Sequence, residues 1–184
     1  LWLEEWGVAS GKNRLVLVTA HRRENFGAPI ERICAALQQL AERYDGTLQI
    51  VYPVHMNPNI YEPVQRVLKD VPHIHLVAPQ DYLALIHLLK SSAIVLTDSG
   101  GIQEEATGLG KPTLVLREKT ERPEGVSAGV LKLAGTDTST IVGEASLLLD
   151  DPTAYQKMAH AENPFGDGHA AERIVSALLE YSEE

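Results

Sequence analysis

Apolar and polar positions follow two alternating rhythms along this chain. Leu15-Val16-Leu17-Val18-Thr19 is a continuous apolar run of strand length, the mark of a strand covered on both faces. Over residues 29–44, Ile30, Ile33, Cys34, Leu37, Leu40 and Ala41 then recur on one helical face, and Asp45-Gly46 stops the helix. The same step repeats as a strand over 48–54 with a helix over 61–68, and a strand over 73–77 with a helix over 82–90. A strand over 93–96 leads through Ser99-Gly100-Gly101 to a helix that starts at 104. Strands follow over 113–116 and 128–133, separated by a polar loop over 117–125. Helices over 137–149, 152–159 and 170–181 close the chain. Residues 1–6 read as the end of a helix that began upstream, which suggests a piece of a longer protein.

Short apolar strands joined by helical crossovers predict an α/β fold, a Rossmann-like parallel sheet with helices on both faces. Such sheets bind ligands at the carboxyl ends of their strands. Four loops bring chemistry to that edge: His21-Arg22-Arg23-Glu24-Asn25, His55, Ser99-Gly100-Gly101, and the charged run from Arg117 to Glu124.

A strand, then Ser-Gly-Gly, then a helix can aim free backbone N–H groups at an anion. The two glycines would let a ligand approach the main chain, and Glu104 and Glu105 would sit in the first helical turn, where carboxylates suit the helix dipole. The stretch fits equally well a plain helix cap made by Asp98 or Ser99. His21 with Arg22 and Arg23 offers an imidazole and two forked phosphate donors, or else a solvated loop in which Glu24 pairs an arginine. His55 is a ligand contact or a turn histidine capping the backbone. His73 and His75 could suggest a metal, but nothing else supplies ligands at suitable spacing, so they read as strand residues. His87 and His160 have no motif around them.

Composition narrows the classes. With 184 residues, 44% of them apolar and 22% charged, the chain reads as one globular domain, or one domain plus a terminal extension, that can bury a core unaided. A net charge of −9 argues against general nucleic-acid binding. One cysteine, Cys34, offers no disulfide framework and points to a reducing cytoplasm. No run is long or apolar enough to read as a membrane span. Walker and dinucleotide-binding glycine motifs are absent, which counts against an ATPase or an NAD enzyme.

The motifs Thr19-Ala20-His21-Arg22-Arg23-Glu24-Asn25, Pro53-Val54-His55-Met56-Asn57-Pro58, Thr97-Asp98-Ser99-Gly100-Gly101-Ile102-Gln103-Glu104-Glu105, and Arg117 through Glu124 closely resemble those of the non-hydrolysing UDP-N-acetylglucosamine 2-epimerases. They stand in that family's order across nearly the whole chain, and Asn163-Pro164-Phe165-Gly166-Asp167-Gly168 fits its C-terminal region. The resemblance implies one half of a GT-B-like two-domain enzyme. Residues 1–184 would be the C-terminal, UDP-binding domain, without the N-terminal domain that carries the family's catalytic carboxylates. It implies interconversion of UDP-GlcNAc and UDP-ManNAc by elimination and re-addition of UDP, with no metal or redox cofactor. The whole protein would be a cytoplasmic homodimer serving polysaccharide biosynthesis, and the isolated chain would bind UDP weakly and catalyse little.

By motif, Ser99, Gly100 and Gly101 would hold the diphosphate, Glu105 the ribose hydroxyls, and Arg122 a phosphate. His21 would assist departure of UDP. Arg22 and His55 match positions that help bind a second, allosteric UDP-GlcNAc in bacterial members. Thr107-Gly108 and Gln80 depart from the family pattern without removing a charged group. Rival readings are a hydrolysing epimerase, the nucleotide domain of a GT-B glycosyltransferase, or a non-enzymatic nucleotide-sugar sensor.

Overall fold

The computed structural model of the chain describes residues 2–182. Its elements, in order, are α1 (Trp2–Glu5), β1 (Arg14–Thr19), a 3-10 turn (Arg23–Asn25), α2 (Ala28–Tyr44), β2 (Leu48–Pro53), α3 (Pro58–Leu68), β3 (Ile74–Val77) and α4 (Tyr82–Ser91). There follow β4 (Ile94–Thr97), α5 (Gly100–Gly108), β5 (Thr113–Val115), α6 (Pro123–Ala128), β6 (Leu131–Leu133), α7 (Thr138–Asp150), α8 (Pro152–Ala159) and α9 (Ala170–Ser182). The helical start expected over residues 1–6 is α1; Leu1 lies outside the described residues.

The strands form one parallel sheet in the order β3-β2-β1-β4-β5-β6. The order in which strands are added across the sheet reverses between β1 and β4, which pair in parallel with Thr19 opposite Thr97. That reversal leaves a crevice at the carboxyl edge, the ligand position of doubly wound sheets.

The apolar run in β1 explains its central place. Leu15, Val16, Leu17 and Val18 are all fully buried. Successive side chains point to opposite faces. Val16 and Val18 join the core under α2, α3 and α7, while Leu15 and Leu17 join the one under α4 and α5. Burial of each such side chain stabilises the fold by roughly 1.5–3 kcal/mol. The predicted stripe on α2 is buried as a unit, and Cys34 within it has its thiol pushed up to about 12, first by burial and then by Glu31. It is a core residue.

Three boundaries differ from expectation. The strand expected over 128–133 is only Leu131–Leu133, and the polar loop is shortened, because residues 123–128 form α6. Pro123 starts that helix and Gly129, at φ 81°, ends it in the left-handed conformation. Asn57 caps α3 through its side chain, which accepts the Asn59 N–H at 3.0 Å, so the helix begins at Pro58 rather than 61. α5 begins at Gly100, not at Glu104.

At the opposite, amino edge of the sheet, Trp6 stacks on His75 with ring centroids 3.9 Å apart and planes 17° apart. The ring nitrogen Nε2 of His75 lies 2.8 Å from the Gln49 side-chain oxygen. Burial, then the nearby His73, pulls His75 down to about 4. His75 is a strand residue as expected; His73 precedes the strand, at φ 67°.

Candidate functional site

The loop after β1 is fixed by a residue from the other side of the crevice. Asp98, buried at the end of β4, accepts through Oδ2 the backbone N–H groups of His21 and Arg22, each at 2.8 Å, and the Asn25 side-chain amide at 2.9 Å. Asn25 also donates to the Leu116 carbonyl at 3.2 Å. The hydroxyls of Thr19 and Thr97 meet at 2.6 Å, the Ser99 N–H donates to Thr97 Oγ1 at 3.0 Å, and Tyr52 donates to the Ala20 carbonyl at 2.6 Å. The ends of β1, β2 and β4 are thus tied together by buried polar contacts.

Ser99 occupies the position before α5 with extended backbone, and neither it nor Asp98 caps the helix through a side chain. The leading N–H groups of a helix have no intrahelical partner, so the start of α5 keeps its capacity for an anion. The two glycines differ in purpose. A Cβ on Gly100 would come within 2.5 Å of the Glu121 carboxylate, whereas a Cβ on Gly101 would meet nothing within 4 Å. Gly100 therefore makes room for a protein side chain, and Gly101 faces open space.

Glu104 and Glu105 lie in the second turn of α5, not the first, because the helix starts at the glycines. Glu105 has a buried oxygen, Oε2, with no hydrogen-bond partner. Burial, then repulsion from Glu104, pushes its carboxyl up. Glu104 instead pairs with Arg122 Nε. Gln103, fully buried, reaches the Ser99 carbonyl at 3.3 Å and accepts the Thr120 hydroxyl at 2.6 Å, which anchors the 117–122 loop to α5.

Around this frame the charges interlock. Arg117 pairs with Glu24 and with Glu121, and Arg22 lies 3.6 Å from Glu121. Burial pushes the Glu121 carboxyl up, but its backbone hydrogen bond, Arg117 and Arg22 together outweigh that and hold it lower. A cavity of about 500 Å³ opens beside Arg117, lined also by Glu24, Asn25, Arg32, Lys119 and Thr136.

His21, 40% exposed, stacks on His55 with ring centroids 5.6 Å apart and planes 18° apart. His55 Nδ1 accepts the Asn57 N–H at 3.1 Å, so the histidine does cap its turn, and its Nε2 remains for another partner. The structure thus gathers His21, Arg22, His55, Ser99, Gly100, Gly101, Glu105 and Arg122 at one edge. His87 and His160 are exposed elsewhere. Among the described residues there is no cluster of three or more His, Cys, Asp or Glu side chains fit to hold a metal. Nor is any helix among them long and apolar enough to cross a membrane.

Of the residues off the family pattern, Thr107 is buried and donates to the Gln103 carbonyl at 2.8 Å, while Gln80 donates to the Ala78 carbonyl at 2.6 Å. Asp98, Gln103 and Glu121 were not singled out from the sequence as site residues. Asp98 read only as a possible cap, because its true partners lie more than seventy residues away in the chain.

Residues 4–179 match the family model for UDP-N-acetylglucosamine 2-epimerase. The UDP-N-acetylglucosamine 2-epimerase of Yersinia pestis is 53% identical over 165 residues, covering 90% of this chain and 44% of that protein. The S. aureus MnaA–UDP co-structure superimposes with a TM-score of 0.90 at 44% identity, covering 98% of this chain and 48% of that one. The structure of UDP-GlcNAc 2-epimerase from Neisseria meningitidis bound to UDP-GlcNAc gives a TM-score of 0.88 at 45% identity, covering 96% and 48%. The chain spans about half the length of the relatives it matches.

Proposed function

The chain belongs to the UDP-N-acetylglucosamine 2-epimerase family, and from that premise we propose that it is the UDP-binding half of an enzyme that interconverts UDP-GlcNAc and UDP-ManNAc. The observation that carries this reading is the convergence of His21, Ser99, Gly100, Gly101, Glu105 and Arg122 around the start of α5, beside the reversal between β1 and β4.

In the reaction, a base takes the proton from sugar C2. The freed electron pair forms the C1–C2 double bond as the C1–O bond breaks toward UDP, leaving 2-acetamidoglucal. Re-addition returns the UDP oxygen to C1 and a proton to the opposite face of C2. On this reading the C2 bases belong to an N-terminal domain beyond residues 1–184. Exposed apolar side chains at the carboxyl edge, Met56, Tyr82 and Leu83, and on α9, Ile174, Val175 and Leu178, are surface such a domain would cover.

This chain's task is the leaving group. Charge develops on the diphosphate as C1–O breaks, and donors already aimed at it lower that barrier most. The free N–H groups at Gly100 and Gly101, the Ser99 hydroxyl, the Arg122 guanidinium and His21 supply them. Glu121 would repel a diphosphate, and Arg22 and Arg117 offset its charge. The unpartnered Glu105 oxygen accepts the ribose hydroxyls. Arg22 and His55 take part in a second UDP-GlcNAc site, from which the His55 ring bears directly on His21. The whole protein, on the same reading, is a cytoplasmic homodimer.

A calorimetric titration with UDP tests this. The chain should show saturable binding and no epimerisation by itself. A Ser99→Ala/Glu105→Ala double variant should lose at least about tenfold in affinity, the worth of one good hydrogen bond. Absence of UDP binding by the full-length protein would overturn the reading.

A further inference from the structure

Asp98 has more to offer than the three hydrogen bonds that fix the loop after β1. All three fall on Oδ2. The other oxygen, Oδ1, is buried and has no hydrogen-bond partner. A buried carboxylate oxygen left empty is costly, and Oδ1 lies 3.8 Å from Nδ1 of His21. That is longer than a hydrogen bond, as contacts between working groups often are before substrate arrives. Oδ2 anchors the backbone of His21 itself, so the carboxylate and the ring cannot drift apart independently.

We propose that Asp98 is the positioning residue for His21: its free oxygen accepts Nδ1–H, which fixes that tautomer of the neutral ring and supports the imidazolium whose Nε2–H then donates to the departing diphosphate. The role given to Nε2 rests on the UDP-binding reading; the tautomer does not. Neither side chain forms a covalent bond to substrate. Three groups could compete for the ring. His55 has its own Nδ1 engaged by the Asn57 N–H. Arg22 bears only donors and is drawn toward Glu121, whose carboxylate is shared with Arg117. The oxygen left to set the His21 tautomer is Asp98 Oδ1.

Asp98→Asn separates this role from loop anchoring. The amide oxygen can still accept the two backbone N–H groups and the Asn25 amide. The amide nitrogen then replaces Oδ1 and donates toward Nδ1, which must lose its proton, so the ring flips to the Nε2–H form. Such a swap beside a histidine preserves geometry and reverses the tautomer. Long-range proton–nitrogen NMR on the chain labelled at histidine reads this directly, near pH 8 where imidazole is neutral. His21 should be Nδ1–H in the native chain and Nε2–H in Asp98→Asn, with His55 Nε2–H in both as an internal reference. A native His21 already in the Nε2–H form overturns the proposal without any variant, and so does an unchanged tautomer in Asp98→Asn.

UDP titration of the same samples forms the second arm. Asp98→Asn and His21→Gln should each weaken UDP about tenfold, and the double variant little more than either alone, since the two act as one unit. Additive losses overturn the shared role. A tautomer flip in a chain that, like the full-length protein, does not bind UDP upholds Asp98 as the positioning residue and overturns the nucleotide reading instead.

Discussion

Glu105 carries a cost that the fold does not recover without a ligand. Its Oε2 is shielded from water and unpartnered, and burial together with Glu104 disfavours its charge. A carboxylate whose folded pKa is raised destabilises the native state when ionised, and that burden lifts as pH falls toward its unfolded value, 4.5. Glu105→Gln should therefore raise the free energy of unfolding near pH 7 by about 0.5–1 kcal/mol, with the gain shrinking under acid conditions, while UDP affinity falls about tenfold. Urea unfolding at the two pH values checks the first part; equal stability near pH 7 would mean that water reaches the carboxylate. At this scale the sequence displayed the chemistry but not the pairings. That Ser99, Gly100 and Gly101 turn the chain from β4 into α5 was readable from residue type and order. That Gly100 yields to Glu121, and that Asp98 reaches His21, depends on contacts between distant segments, which no local pattern encodes.

Among the elements, those with strong periodicity were legible, and those defined by caps were not. The stripe on α2 and the apolar run in β1 predicted both their type and their burial. α6 was missed because Pro123-Glu124-Gly125-Val126-Ser127-Ala128 has no apolar period; only Pro123 in front and Gly129 behind mark it. Gly125 there is closely enclosed, since a Cβ would come within 2.6 Å of Leu131 and 2.8 Å of Phe165. The segment before β1 is held to the sheet by the Trp6–His75 stack, and this contact responds to acid. With His75 pulled down to about 4 from 6.5, the unfolded chain takes up a proton in that interval that the folded chain refuses. The site's contribution is full above 6.5, declines as pH drops through the interval, and declines no further below about 4. An NMR titration should place the His75 midpoint near 4, with the Trp6 indole resonance moving in step. A midpoint at the free-histidine value would separate the ring from its buried setting.

For the whole molecule, strand–helix alternation was enough to predict a parallel sheet with its polar loops at the carboxyl ends of the strands. The strand order was beyond it, because pairing β1 with β4 joins segments far apart in the chain, which no local pattern encodes. That pairing also has a kinetic meaning. β1 and β4 are separated by α2, β2, α3, β3 and α4, so the Thr19–Thr97 contact closes a loop of 78 residues. Loop closure of this length must precede any reward from the contact, which makes non-local pairing slow. The Asp98 clamp spans the same closure. We expect the pocket built across this closure to form only after the folding transition state. UDP should then leave the refolding rate unchanged and slow unfolding by the full factor of its binding, a difference visible as a shift in only one limb of the denaturant–rate profile. Nucleotide, on this view, works as a lock on a finished molecule: it lengthens the life of the native state and gives no help in reaching it.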